Sequence, residues 1–242
     1  MIIQNITLSN VGFVTDVPAL VTSGLFANYD ATTGGVSGST FSDSSGNGRN
    51  ATIYASAATT TYNATTVLRL NSASSQYFGY TTGYATSLDA AYTYEVWAYP
   101  LSASTAGTLV GEWGVSTFNG GWTDAQMGFT TTKINAGYYQ GGGVVGTNWS
   151  ANTWYHILFT YASSLGTLYI NAASQGTTSA AKENPGATFL TIGKDDNSNG
   201  IYLGGVQNYF NGYIGSFRIY DRALNSAEVT QNYNAAKWKY GL

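Results

Sequence analysis

The sequence contains no cysteine, and in 242 residues it has one histidine, two methionines and three prolines. Without cysteine there is no disulfide staple, no thiol nucleophile and no zinc–thiolate centre. A single histidine, His156, excludes a two-histidine zinc helix and any multi-histidine centre. Charge is scarce as well: Asp, Glu, Lys and Arg make up 9% of the residues, against about a quarter in an average soluble protein. The net charge is −3, so no surplus of cations exists to neutralise a run of phosphates, and no nucleic-acid partner is expected. Lys and Arg are absent before Arg49, which leaves neither a secretory n-region nor a mitochondrial presequence. No apolar run reaches about 18 residues, so no membrane insertion is expected.

What remains is apolar and aromatic. Hydrophobic residues supply 43% of the chain and aromatics 15%, enough for a core that needs no staple or structural metal. With so little charge, the surface must be built from Ser, Thr, Asn, Gly and Tyr. Such a surface suits a protein displayed on an assembly or outside a cell better than a cytosolic enzyme.

Short β-type runs alternate with turn signals from Ser23 onward, the pattern of an all-β sandwich rather than of βαβ units. Strands are expected at Val67–Leu70, Gln76–Tyr80, Tyr92–Tyr99, Thr108–Glu112, Gln126–Phe129, Ile134–Tyr139, Trp154–Tyr161, Thr167–Asn171, Phe189–Ile192 and Tyr213–Tyr220. Pro100 closes the third, as suits a residue that cannot donate to a ladder. Gly-, Asn- and Ser-rich turns lie between, at Ser42–Asn50, Asn119–Thr123, Gly141–Gly146 and Asp195–Gly205. One helix is expected from about Ser226 to Lys237, where Asn225 and Glu228 make a capping box and Leu224 and Val229 a hydrophobic staple. Residues 1–22 read either as an extended arm or as a first strand, and residues 23–242 as the sandwich.

Several segments together resemble the laminin-G-like jelly-roll family of the concanavalin A-like lectin/glucanase superfamily. Ser23 to Ala31 is similar to its opening strand, and Asp43-Ser44-Ser45-Gly46-Asn47-Gly48 to its Asp-x-Ser-Gly-Asn-Gly turn. Glu95-Val96-Trp97 resembles its Glu-x-Trp strand and Trp154-Tyr155-His156 its Trp-x-His strand, with Leu168 to Asn171 following. Phe210 to Ile214 leads into Phe217-Arg218-Ile219-Tyr220-Asp221-Arg222-Ala223-Leu224, with Glu228 beyond. The resemblance implies an all-β, two-sheet antiparallel jelly roll with one short carboxy-terminal helix. The ending, Val229 to Leu242, resembles the variant found in bacteriophage virion proteins. Family members often carry acids just after the Gly-x-Ile step, where this chain has Gly215 and Ser216. A metal held there in relatives is therefore in doubt here.

The chemistry was sought residue by residue. Glycan-hydrolysing sandwiches cluster carboxylates on one strand face, because side chains alternate along a strand. Glu95 and Glu112 are each the only acid in their strand, so no enzyme is expected, and Glu95 reads as a structural hydrogen-bonding residue. His156 lies within an aromatic strand and reads as a strand-face residue. Gly141, Gly143 and Gly146 spell a dinucleotide fingerprint, but no helical pattern follows, so they read as a glycine-rich hairpin or loop. Asp43 and Asn47 in one loop, and Asp195 and Asp196 in another, are candidate oxygen donors for a calcium ion at the sandwich edge, with a plain turn and a solvated loop as the competing readings; Tyr54 at the twelfth position excludes an EF-hand. Trp113, Trp122, Tyr138, Tyr139 and Trp149 flank Gly-rich loops and are the candidate glycan-stacking rings, with core or interface roles as the competing use.

These readings combine into a non-enzymatic virion structural protein, a capsid decoration, fibre or tail-associated subunit. Its expected partners are capsid or tail proteins, host-surface polysaccharide and further copies of itself in a homo-oligomer. It requires no cofactor, with calcium as an optional one, and its expected location is the particle surface. The alternative is a secreted or surface-attached adhesion module that binds carbohydrate with calcium assistance, placed outside the cell.

Overall fold

The structure is a computed structural model that describes residues 17–80, 90–102, 107–113, 123–138, 142–179, 189–194 and 209–242. In chain order its strands are β1 (Leu25–Asp30), β2 (Val36–Ser37), β3 (Thr40–Phe41), β4 (Ala51–Tyr54), β5 (Ala58–Tyr62), β6 (Thr65–Leu70), β7 (Tyr77–Tyr80), β8 (Ala91–Pro100) and β9 (Gly107–Trp113). They continue as β10 (Thr123–Phe129), β11 (Lys133–Tyr138), β12 (Gly142–Asn148), β13 (Tyr155–Ala162), β14 (Leu165–Ile170), β15 (Ala173–Ser179), β16 (Phe189–Ile192) and β17 (Gly212–Tyr220). Helix α1 (Ser226–Ala236) and a 3-10 turn at Lys237–Tyr240 end the chain.

The strands form two antiparallel sheets. An eight-stranded sheet runs β15-β14-β13-β8-β17-β6-β5, with β1 also paired to β17; a nine-stranded sheet runs β12-β11-β10-β9-β16-β7-β4-β3-β2. Period-2 alternation sends one side of each strand into the layer between the sheets. Leu68, Tyr94, Val96, Phe159, Leu168 and Phe217 meet Phe41, Phe78, Val110, Phe129 and Leu190 there, in one continuous core. An extra residue in β9, between the pairs Met127↔Val110 and Gly128↔Thr108, lets Leu109 and Val110 both enter that core.

All ten expected strands are present, and the helix starts where its capping box places it. Asn225 Oδ1 accepts the backbone N–H groups of Ala227 and Glu228, and Glu228 Oε2 accepts that of Asn225 at 2.9 Å. Leu224 and Val229 share a cluster with Val21, Leu158 and Tyr220, as a staple should. Gly143 and Gly146, expected in a glycine-rich hairpin or loop, lie within β12, which pairs antiparallel with β11. A Cβ on Gly146 would sit 2.7 Å from Ile170 Cδ1, so glycine here serves close packing between layers, not a turn. Strands β2 to β5 and β15 escaped the sequence reading because they are short or built of Ser, Thr and Ala. The described part of the amino-terminal segment, Val17 to Thr22, is not a strand. It runs beside α1, where Gln231 Nε2 donates to the Ala19 carbonyl.

Three hairpins, at Asn63-Ala64, Ser163-Ser164 and Asn171-Ala172, turn on two residues that both have positive φ, the twist a two-residue connection needs. Gly215 has a different duty: a Cβ there would lie 2.2 Å from Tyr240 Oη, so its bare backbone seats the ring that ends the chain.

Candidate functional site

Two groups of side chains carry chemistry, and they lie on opposite outer faces. The first is on the eight-stranded sheet. Glu95 in β8 faces Arg218 in β17 directly across the strand pair, and Arg218 Nη1 donates to Glu95 Oε1 at 2.7 Å. His156 in β13 brings Nε2 to 3.1 Å from the same oxygen. Asn232 of α1 donates Nδ2 to Glu95 Oε2 at 2.7 Å and to Tyr220 Oη at 2.9 Å, while its Oδ1 accepts the Val21 N–H at 2.8 Å. Asp30 Oδ2 lies 3.6 Å from Arg218 Nη2 and 3.4 Å from Lys239 Nζ. Glu95, His156 and Asn232 are wholly buried and Arg218 nearly so.

The electrostatics follow from this packing. Burial would push the Glu95 carboxyl up, but the Arg218 guanidinium, with His156 and Asn232, outweighs it and holds Glu95 at about 2. Burial pushes His156 below its ordinary value; Glu95 pulls it back up and Arg218 again down, leaving it lowered. Arg218 is raised, because Glu95 overcomes the burial that would lower it. A neutral His156 thus donates Nε2–H to a permanently ionised Glu95. The helix and its 3-10 extension close this face: Tyr240 stacks on Trp97 at 4.4 Å and Tyr233 at 5.7 Å. The expected structural role of Glu95 fits this geometry. The sequence reading did not find Arg218, Asn232 or Asp30, although an arginine inside the apolar run Phe217-Arg218-Ile219-Tyr220 was itself the signal.

The second group lies on the outer face of the nine-stranded sheet. Tyr54 in β4 pairs across the ladder with Tyr77 in β7, and their rings stack at 4.4 Å with 5° between planes. Tyr209 stands 6.2 Å from Tyr77. Lys194 Nζ sits 4.9 Å from the centre of the Tyr77 ring and 5.8 Å from that of Tyr209, a cation–π arrangement. Tyr54 and Tyr209 are half-buried and keep part of each ring at the surface; Tyr77 and Lys194 are buried beneath. Burial raises the Tyr54 hydroxyl, so it stays a neutral donor at physiological pH.

Of the residues expected to stack on sugar, Trp149 is the one whose side chain the structure describes, and it is not part of this strip. Trp149 is a core residue: its ring packs edge-on against Phe129 at 5.0 Å and its Nε1 donates to the Thr130 carbonyl. A ring enclosed in this way offers no face to a ligand. Trp113 ends β9 and Tyr138 ends β11, while Trp122 and Tyr139 lie outside the described residues.

The expected calcium ligands fare similarly. Asp43 accepts the backbone N–H groups of Asn28, Ser45 and Arg49, each at 2.9 Å, and the Ser45 hydroxyl at 2.8 Å. Burial works against its charge, but those donors lower its carboxyl below the ordinary value. Asn47 donates Nδ2 to the carbonyls of Leu25 and Phe26. Both oxygens of Asp43 therefore hold the turn to β1, and a cation would have to displace four donors already aimed at them. Asp43 and Asn47 thus take the part of the plain turn in this structure. Asp195 and Asp196 lie outside the described residues, and among the described residues no three acids or histidines gather as a metal centre.

With two stacked antiparallel sheets, a carboxy-terminal helix over one of them and the Asp43 turn in place, the class is that of a lectin-like jelly roll. The chain belongs to the concanavalin A-like lectin/glucanase superfamily, whose laminin-G-type family model matches residues 72–230. No curated protein sequence matches it. Among solved structures it is similar to Trypanosoma rangeli sialidase in complex with sialic acid, with TM-score 0.67 and 14% identity over 90% of this chain and 34% of that one. The chain thus spans about a third of the sialidase. It is similar to domain 4 of AbnA, a GH43 extracellular arabinanase from Geobacillus stearothermophilus, in complex with arabinotriose, with TM-score 0.61 and 18% identity over 87% of this chain and 98% of the domain. The receptor binding domain of botulinum neurotoxin type G matches with TM-score 0.60 and 15% identity, over 87% of this chain and 51% of that one. At these identities the likeness is one of fold.

Proposed function

We propose that the chain is a non-enzymatic, glycan-binding sandwich carried on a virus particle as a decoration, fibre or tail-associated subunit. The observation that carries the glycan reading is the strip of Tyr54, Tyr77 and Tyr209 braced by Lys194 on the outer face of the nine-stranded sheet. Flat rings take the apolar face of a sugar, and phenol hydroxyls take its hydroxyl groups. The arabinanase domain, solved in complex with arabinotriose and matched over nearly its whole length, supports the reading as a precedent for a similar sandwich holding a sugar chain.

Two observations support the absence of catalysis. Glu95 is sealed and ionised beneath α1, so it can neither reach a substrate nor donate a proton. Glu112 pairs across the ladder with the core residue Leu190, and so faces the interior of the other sheet. The virion half rests on the resemblance of the ending, Val229 to Leu242, and on the low-charge surface.

A glycan array probed with the intact protein, followed by calorimetry on the strongest ligand, tests the first half. Binding is expected, and Tyr54→Ala should weaken it; an array without a single bound glycan overturns the proposal. Hydrolysis of any polysaccharide in a panel, lost with Glu112→Gln, would overturn the non-enzymatic reading. Mass spectrometry of purified particles tests the location, and recovery of the chain only as a free extracellular protein would favour the adhesion-module alternative.

A further inference from the structure

One side of the sandwich is closed and the other is open. On the closed side the terminal strands β12 and β15 lie against each other: a Cβ on Gly176 would meet Val144 Cγ1 at 3.6 Å, and one on Gly142 would lie 2.7 Å from Thr178 Oγ1. On the open side β2 ends the nine-stranded sheet and β5 ends the eight-stranded one, and neither has a further partner among the described residues. The chain crosses between the sheets here through Ala55 and Ser56, both at positive φ, with their carbonyls held by Gln76 Nε2. A cavity of about 560 Å³ lies between the two edges, with Val36, Ile53 and Ala57 as its apolar floor and Gly38, Ser39 and Thr59 among its walls.

We infer that this open edge receives an extended, uncharged segment of a partner polypeptide, added as a strand alongside β5. The chemistry of the edge selects that occupant. A terminal strand presents a periodic row of N–H and C=O groups that only another extended backbone matches in spacing. Natural edges are blunted with lysine, proline or a bulge; β5 reads Ala-Thr-Thr-Thr-Tyr, and its first four residues are exposed. Among the described residues no charged or aromatic one lines the cavity, whose walls thus offer neither a partner for an ionic side chain nor a stacking face for a sugar. Its floor takes an aliphatic side chain of valine or leucine size from an added strand, whose alternate residues face solvent. Backbone bonds then give affinity and the cavity gives selectivity. The inference is independent of the tyrosine strip, which lies on an outer face and not at the edge.

The test is amide hydrogen exchange on the intact protein with capped heptapeptides Thr-Ser-Thr-X-Thr-Ser-Thr, X being Val, Leu or Lys. The Val and Leu peptides should slow exchange across Ala58–Tyr62 at least tenfold at saturation, and the Lys peptide should bind at least tenfold more weakly. Thr59→Lys and Thr61→Lys, both at exposed positions, should abolish the protection, whereas Thr177→Lys on β15 should leave it intact. Four results would overturn the inference: no protection by any peptide, protection indifferent to X, protection surviving both β5 substitutions, or the same protection produced by raising protein concentration alone. Protection of β5 by an oligosaccharide in place of the peptides would overturn it as well.

Discussion

The outer face of the eight-stranded sheet holds Glu95, His156 and Arg218 under a helix; the outer face of the nine-stranded sheet holds Tyr54, Tyr77 and Tyr209 around Lys194. In a chain with so few charges, three of the buried ones, Asp30, Glu95 and Arg218, gather on the first face. The amide of Asn232 fixes one orientation of α1 on the sheet, since its Nδ2 donates to Glu95 Oε2 and Tyr220 Oη while its Oδ1 accepts the Val21 N–H. Buried ionic groups are costly as stability devices but discriminate well between alternative packings. The tyrosine strip has the opposite character. It sets ring on ring and ammonium on ring, and the half-buried rings of Tyr54 and Tyr209 reach the surface. One face spends charge to hold the fold, and the other keeps charge out of what it shows to its surroundings.

The most disruptive way to break this comparison is Glu95→Ala. It strands the Arg218 guanidinium with Asp30 at 3.6 Å as its remaining acid and removes one of the two acceptors of Asn232 Nδ2. The expected loss is about 3–5 kcal/mol, read from the urea midpoint at neutral pH. A loss under about 1 kcal/mol would mean that the face is not held by its charges. Acid probes the same face without mutation. His156 has a folded value below its ordinary 6.5, so the unfolded chain takes up the proton first and stability falls as pH drops below 6.5. Glu95, lowered from 4.5 to about 2, contributes stability that is complete above 4.5 and is lost as pH falls toward 2. Both slopes run the same way. The melting temperature should therefore fall in two stages, and His156→Gln should remove the upper one; a flat profile between pH 7 and 5 would contradict a buried neutral histidine.

The sheets were legible in the sequence wherever a strand buries one or both faces in apolar residues, as in Tyr92–Tyr99 and Tyr213–Tyr220. They were illegible where a strand sits at an edge: β5 and β15 bury little, so they carry no alternation to read. The helix was legible because a capping box is a local code in Asn225 and Glu228. The sealed network was half legible, since Glu95 and His156 stand out but their meeting with Arg218 and Asn232 depends on long-range register. The tyrosine strip was not legible at all. Tyr54, Tyr77 and Tyr209 come from three distant segments, and tyrosine is too frequent in this chain for any one of its 20 copies to mark itself. Trp149 misled for the converse reason: a tryptophan beside a glycine-rich segment looks exposed until the segment proves to be a strand.

The nine-stranded face can be tested with far less cost to the fold. Tyr209→Ala removes a half-buried ring near Tyr77 and the Lys194 ammonium and leaves the backbone bridge of residue 209 to Thr108 in place. Glycan affinity should fall at least tenfold, about 1.4 kcal/mol, with the urea midpoint nearly unmoved. Equal loss of stability and binding would make the strip a packing device and erase the contrast between the faces. The smallest effect, and the sharpest, is expected for Asn225→Ala. That substitution unmakes the capping box without touching the buried network, because Asn225 and the N–H groups it accepts lie on the exposed first turn of α1. It should cost about 1 kcal/mol and speed exchange of the helix amides. The sheet amides around Glu95 should stay protected, since Asn232 enters the network two turns further along. If those amides open together with the helix, the lid and the charges beneath it form one cooperative unit, and the ionic network cannot hold its shape without a fully formed helix above it.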